Sequence, residues 1–293
     1  MTAVKEKAYA KINLYLDVLG IREDGFHDIK TVMHSVTLFD EITVSVEKSG
    51  RKDVRIRLEG NKNLPSDSKN LAYRAAMLFM ERLGVSASVG IKLVKNIPIA
   101  AGLAGGSSDA AAVLRALNKI YGRPFAVSAL LNMGAEIGSD VPYCIIGKTA
   151  LCEGRGERLT VIDTPLHLNL VIANTGEHVS TPEAYRMLDD MYSSFDGTVK
   201  SEGETCYSEF LSRIKSKADD KYGFYNIFEN AILGTCKMAE ALKNELIALG
   251  ATEAMMSGSG PSIFAIFKTK NEAETVKESL IKKGYKAFYA ESV

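Results

Sequence analysis

The chain has 293 residues, with 36 Lys and Arg against 36 Asp and Glu, so its formal charge is zero. That balance argues against a nucleic-acid coat protein or a polybasic membrane binder, both of which call for an excess of one sign. With 46% hydrophobic and 25% charged residues, the composition is that of a folded globular protein.

In chain order, residues 8–16 alternate, with Ala8, Ala10, Ile12, Leu14 and Leu16 on one side and Tyr9, Lys11, Asn13 and Tyr15 on the other. This is the pattern of a half-buried strand whose outer, solvated face carries Lys11 and Asn13. A turn at Arg22-Glu23-Asp24-Gly25 precedes strands expected over 27–46 and 54–58. Residues 68–83 read as a helix with Ala72, Ala75, Ala76, Phe79 and Leu83 on one face, and 87–94 read as a strand. The stretch NIPIAAGLAGGSSD then runs into a helix with Ala110, Val113, Leu114, Leu117 and Tyr121 on its inner face, ended by Gly122 and Pro124. A helix over 127–136 leads into GSDVPYCIIG, which predicts Asp140 at the edge of a buried strand.

The pattern restarts at Asp163-Thr164-Pro165 with an apolar strand over 168–173, which divides the chain into domains 1–163 and 164–293. Residues 193–204 are polar and Gly/Ser-rich, as in an insertion. Helices are expected over 207–217 and 226–249, then a strand over 254–257, a Gly-Ser-Gly turn, a strand over 262–267, a helix over 271–283 and a last strand. Strands and helices mixed without a regular βαβ rhythm predict an α+β fold.

Cys144, Cys152, Cys206 and Cys236 form no C-x-x-C pair and read as small core residues in a reducing cytosol. The four histidines lack the H-x-x-x-H spacing of a zinc helix. MTAVKEKAYAKINL has no uninterrupted apolar core of a signal peptide, and no run approaches the ~18 apolar residues of a membrane span. The expectation is a cytoplasmic protein.

The strongest chemical signal is PIAAGLAGGSSDAAA, residues 98–112. Gly102, Gly105 and Gly106 free the backbone to turn and approach a ligand, Ser107 and Ser108 add hydroxyls, and the helix that follows offers unpaired N–H groups to an anion. No Lys-Ser/Thr follows the glycines, so this is not a Walker A loop, and it is not a G-x-G-x-x-G either. Taken singly, Lys11 and Asn13, an edge Asp140 and the turn Met256-Ser257-Gly258-Ser259-Gly260-Pro261-Ser262 each fit an ordinary structural role.

Their joint, ordered occurrence is more specific. An A-K-I-N strand, a central P-x-x-x-G-L-x-G-G-S-S-D-A-A loop and a late S-G-S-G-P-S turn together resemble the GHMP kinases. AYAKINLYLDVLGIREDGFHDI, NIPIAAGLAGGSSDAAAVLRALN, GSDVPYCI and MSGSGPSIFAIF are the stretches that carry the likeness. The resemblance implies a two-domain α+β fold with the active site in the interdomain cleft, ATP and Mg2+ as cofactors, and phosphoryl transfer to an alcohol. By the same resemblance Lys11 and Asp140 are catalytic. Pro98, Ile99, Ala100, Ala101, Gly102, Leu103, Ala104, Gly105, Gly106, Ser107 and Ser108 wrap the ATP phosphates, and Asn70 and Lys95 lie toward adenine. The AKINL, DGFH and GSDVP stretches narrow the resemblance, and what it then implies is a small-molecule substrate with a cytidine diphosphate group. Phe26 and Tyr185 then sandwich cytosine, His27 hydrogen-bonds it, Thr181 and Asn13 are substrate-binding, and Gly258, Ser259 and Gly260 close over the substrate phosphates. No carboxylate pair declares itself as a magnesium cage. A homoserine- or mevalonate-type kinase of the family, and a non-catalytic nucleotide sensor of the same fold, are the alternatives.

Overall fold

The computed structural model describes residues 2–59, 64–164, 166–177, 179–192, 203–216 and 221–293. Two compact units interleave along the chain. One comprises Met1–Ala10, Phe39–Ile99 and Ala104–Gly147, and the other Lys11–Leu38, Ala100–Leu103 and Lys148–Val293. The units do not follow one cut of the chain, because two long neighbouring strands, β1 (Thr2–Ile21) and β2 (His27–Lys48), run from one into the other.

In the first unit, β2 pairs through Glu41–Lys48 antiparallel with β4 (Ala87–Val94), which pairs parallel with β3 (Asp53–Glu59). The helices are α1 (Leu71–Leu83), α2 (Gly105–Ile120), α3 (Val127–Ile137) and α4 (Val141–Ile146). Alternation along β4 buries Val89, Ile91 and Leu93 against Ala75, Ala76 and Phe79 of α1 and Ala110, Val113 and Leu114 of α2. Each large apolar side chain fully buried there contributes about 1.5–3 kcal/mol.

In the second unit, Ile29–His34 of β2 pairs antiparallel with β5 (Thr149–Gly154), and β5 with β6 (Arg158–Val161). β1 pairs parallel with the two-residue β8 (Tyr225–Asn226). A separate antiparallel sheet has the order β11-β7-β10-β9, from β7 (Asn169–Asn174), β9 (Glu253–Met256), β10 (Ile263–Phe267) and β11 (Lys286–Glu291). The unit's helices are α5 (Thr181–Tyr192), α6 (Gly203–Ser216), α7 (Phe228–Ile232), α8 (Lys237–Ala248) and α9 (Lys270–Lys282). Its core joins Val171, Ile263, Ala265 and Phe267 of the sheet to Leu242, Leu246, Val276 and Leu280 of α8 and α9.

The α+β class and most element positions agree with the sequence reading, with three corrections. The outer face of β1 is buried, Lys11 at 4%, Asn13 at 2% and Tyr15 at 0% exposed, so the strand is covered on both sides. Residues 141–146 form the helix α4 and not a strand. Pro142 is pre-shaped for a first helical turn, and a six-residue apolar run does not itself distinguish helix from strand. The helix expected over 226–249 is two helices. Cys236, with ψ of 78°, breaks the run after Gly234, the poorest helix former in it. Of the polar segment 193–204, residues 193–202 lie outside the described residues. Cys152 and Cys236 are buried as expected, Cys144 and Cys206 are half-buried, and none of the four is in a disulfide. Among the described residues no helix is long and apolar enough to cross a membrane.

Candidate active site

The glycine loop joins β4 to α2. Its turn requires left-handed backbone at Ala100 (φ 52°), Gly102 (φ 74°) and Ala104 (φ 55°). Ala104 occupies the N-cap of α2 and, having no polar side chain, makes no capping bond to the amides of the first turn. The sequence reading expects an anion at these N–H groups, where the positive end of the helix dipole lies. Gly106 is exposed, and a Cβ there would meet only Leu71 at 3.7 Å.

The other two glycines answer to internal contacts. A Cβ on Gly102 would stand 2.0 Å from the Ser257 carbonyl oxygen, and the Ser257 hydroxyl donates to the Gly102 carbonyl at 3.0 Å. A Cβ on Gly105 would stand 2.8 Å from the Lys95 Nζ. Their missing side chains admit protein atoms, not a ligand.

Lys11 extends this arrangement within the second unit. Its backbone N–H donates to Leu103 at 3.2 Å, and its ammonium donates to Asn13 Oδ1 at 2.6 Å. Asn13 Nδ2 in turn donates to the Thr31 hydroxyl at 2.8 Å, and Thr31 to the Tyr15 carbonyl at 2.7 Å. A Cβ on Gly258 would lie 3.3 Å from the Lys11 Nζ, so this glycine leaves room for the ammonium. Asn226 fixes the turn by donating to the carbonyls of Met256 at 2.7 Å and Gly258 at 2.8 Å. Thr181 and Ser259 hydroxyls lie 3.1 Å apart.

Asp140 is half-buried at the N-cap of α4, and its carboxylate makes no capping bond to that helix. α4 packs on α2 and α3, and Arg115 of α2 donates to the Cys144 carbonyl at 2.6 Å, anchoring the short helix.

His27 Nε2 lies 2.8 Å from the Asp189 carboxylate, and its ring stacks on Tyr185 with centroids 4.4 Å apart. Tyr185 meets Phe228 edge-on at 4.9 Å. Phe26 is 53% exposed, with the Arg155 guanidinium 4.9 Å over its ring.

Residues 70–148 match the GHMP kinases N-terminal domain and residues 208–287 the GHMP kinases C-terminal domain. A 4-diphosphocytidyl-2-C-methyl-D-erythritol kinase of Clostridium kluyveri is 40% identical over 288 residues, covering 98% of this chain and 99% of the relative. The chain belongs to the GHMP kinase family. A crystal structure of 4-(cytidine 5'-diphospho)-2C-methyl-D-erythritol kinase aligns with a TM-score of 0.81 at 30% identity over 99% of both chains. A homoserine kinase from Cytophaga hutchinsonii aligns with a TM-score of 0.75 at 20% identity, over 100% of this chain and 95% of that one, a likeness of fold alone.

In this GHMP kinase several predicted site residues have other occupations. Asn70 caps α1, accepting from the Ala72 N–H at 3.0 Å and donating to the Pro65 carbonyl at 2.8 Å. Lys95 is 4% exposed, its ammonium bonded to Asp40 and Asp109. Ser108 is buried and its hydroxyl donates inward to the Tyr9 carbonyl, which leaves Ser107 as the half-buried hydroxyl of the first turn. The cap of α5 is Ser180, whose hydroxyl accepts from Glu183 N–H at 3.3 Å, and Thr181 opens the helix.

Sequence reasoning missed Asn226, Asp189, Asp40 and Asp109. Asn226 carried no signal, standing at the head of an apparent helix. Asp109 did stand in the quoted G-G-S-S-D motif, where its type suggests a cap.

Proposed function

We propose that this GHMP kinase transfers the γ-phosphoryl group of ATP to the 2-hydroxyl of 4-diphosphocytidyl-2-C-methyl-D-erythritol, a step of non-mevalonate isoprenoid precursor synthesis in the cytoplasm. The observation that carries this reading is likeness over 98% of the chain to a relative of that name, with the glycine loop, Lys11 and Asp140 all present. The family domains divide at 163/164 in this proposal.

The substrate hydroxyl oxygen forms a bond to the γ-phosphorus as the bond to the bridging oxygen of ADP breaks, and Asp140 accepts the hydroxyl proton. Its freedom from capping α4 suits that role. Lys11, oriented by Asn13, offsets the charge that develops on the transferred group. Residues 99–107, following Pro98, hold the ATP phosphates through backbone N–H groups, without a formal cation between Asn96 and Leu114. Magnesium, when bound with ATP, neutralises phosphate charge. Among the described residues no group of three His, Cys, Asp or Glu is placed to hold a metal ion. Phe26, His27 and Tyr185 receive the cytosine, with Thr181, Gly258, Ser259 and Gly260 near the substrate phosphates.

A substrate panel tests the assignment. Phosphorylation of the diphosphocytidyl substrate with no turnover of homoserine or mevalonate is expected. Comparable rates on those two alcohols would favour the other kinases of the family, and ATP binding without turnover of any alcohol would favour a nucleotide sensor.

A further inference from the structure

Three buried charged side chains in the first unit join the stems of the glycine loop. Lys95, just after β4, bonds Asp40 on β2 and, at 2.9 Å, Asp109 in α2, and none of the three is more than 4% exposed. Asp40 also accepts the backbone N–H groups of Asn96 at 2.6 Å and Ile97 at 2.8 Å, the residues that enter the loop. The Lys95 Nζ lies beneath the first residue of α2, where a Cβ on Gly105 would stand 2.8 Å from it. One ammonium therefore ties the strand side of the loop to the helix side.

A buried ion cluster is a poor device for stability alone, because desolvation offsets most of its Coulombic gain. Two carboxylates around one ammonium also leave a surplus acid. Burial, opposed by Lys95 and reinforced by Asp40, raises Asp109 above the usual carboxylate range, and its Oδ1 has no hydrogen-bond partner among the described residues. What such a cluster does supply is fixed geometry.

We infer that Asp40, Lys95 and Asp109 form a clasp that holds residues 95–97 and 105–109 at a set separation and thereby sets the affinity for ATP. Asp40 and Asp109 are positioning residues in this account, since neither touches a reacting atom. The inference rests on the proposed reading of the glycine loop as the ATP site.

The test compares the full chain with Asp109→Ala, Asp109→Asn and Asp40→Asn, measuring ATP affinity by calorimetry and the KM for each substrate. Asp109→Ala is expected to weaken ATP binding and raise its KM at least tenfold, with the KM of the diphosphocytidyl substrate within about twofold. Asp109→Asn keeps an acceptor for Lys95 and mimics the protonated acid, so ATP affinity is expected to return to within threefold of the parent. Asp40→Asn keeps an acceptor for the two backbone amides but not the charge, and a fivefold rise in the ATP KM is expected. Should Asp109→Ala not fold, Asp40→Asn decides alone. Unchanged ATP affinity in a folded variant, with only a lower melting temperature, would make the cluster merely structural and overturn the inference. A parent protein that neither binds nor consumes ATP would instead overturn the reading of the loop, and the inference with it.

Discussion

The ammonium of Lys11 donates to Asn13 Oδ1 at 2.6 Å, across two positions of one strand and with both side chains buried. Residues i and i+2 share a strand face, so the pair is a direct product of the pleat. Its surroundings are not: Asn13 is held in turn by Thr31 of β2. Replacing Asn13 with Ala leaves the ammonium without that acceptor and the Thr31 hydroxyl without its donor. A stability loss of about 1–3 kcal/mol is expected by denaturant unfolding. A fall of about tenfold in kcat is expected as well, equal to the loss of about 1.4 kcal/mol of transition-state stabilisation. Unchanged kcat would mean that Lys11 does not need Asn13 for its role.

The turn over 257–260 depends on Asn226 in a comparable way. One side-chain amide donates to two backbone carbonyls, and its Oδ1 accepts the Phe228 N–H at 3.0 Å. Asn226→Ala strands these buried groups, and a loss of about 2–3 kcal/mol is expected. If the turn closes over substrate phosphates, the KM of the diphosphocytidyl substrate rises more than that of ATP. Steady-state kinetics with each substrate varied in turn checks the order.

Much of the fold was legible because period-two alternation and helical spacing directly report one buried face. The strand over 87–94 and the helices over 68–83 and 127–136 follow from that signal, and the glycine loop from its own composition. A second covering layer leaves no such mark, which is why Lys11 and Asn13 read as solvated. Nor does local pattern register a partner distant in sequence: Asp40 lies 55 positions from Lys95, and His27 162 from Asp189. The glycines illustrate the same limit. Gly102 and Gly105 look like ligand-facing residues in the loop text, whereas their close neighbours are Ser257 and Lys95.

Acid sensitivity has a nameable source in His34. This imidazole is buried, its Nδ1 lies 2.8 Å from the Thr149 hydroxyl, and its Nε2 has no partner among the described residues. Burial pushes its pKa down from 6.5 to about 4. The folded state thus holds His34 neutral while the unfolded chain takes a proton near 6.5. The resulting stability is fully present above pH 6.5 and is lost as pH falls from there toward 4, an effect of up to about 3 kcal/mol. His34→Asn removes the titration. Unfolding free energies of parent and variant measured from pH 7 to pH 4 should converge or cross as the parent loses this increment. A constant difference across that range would show that His34 does not titrate with folding.

The most direct test of the account follows phosphorus. With ATP and 4-diphosphocytidyl-2-C-methyl-D-erythritol, the parent protein is expected to produce a new phosphomonoester resonance and ADP in equal amounts. Asp140→Ala is expected to lower that rate by at least about 1000-fold, consistent with loss of the proton acceptor at the upper range for such groups and of its positioning. ATP affinity should stay within twofold. Retained turnover in Asp140→Ala, or ADP formed without the new phosphomonoester in the parent, would contradict the assignment of this chain's chemistry.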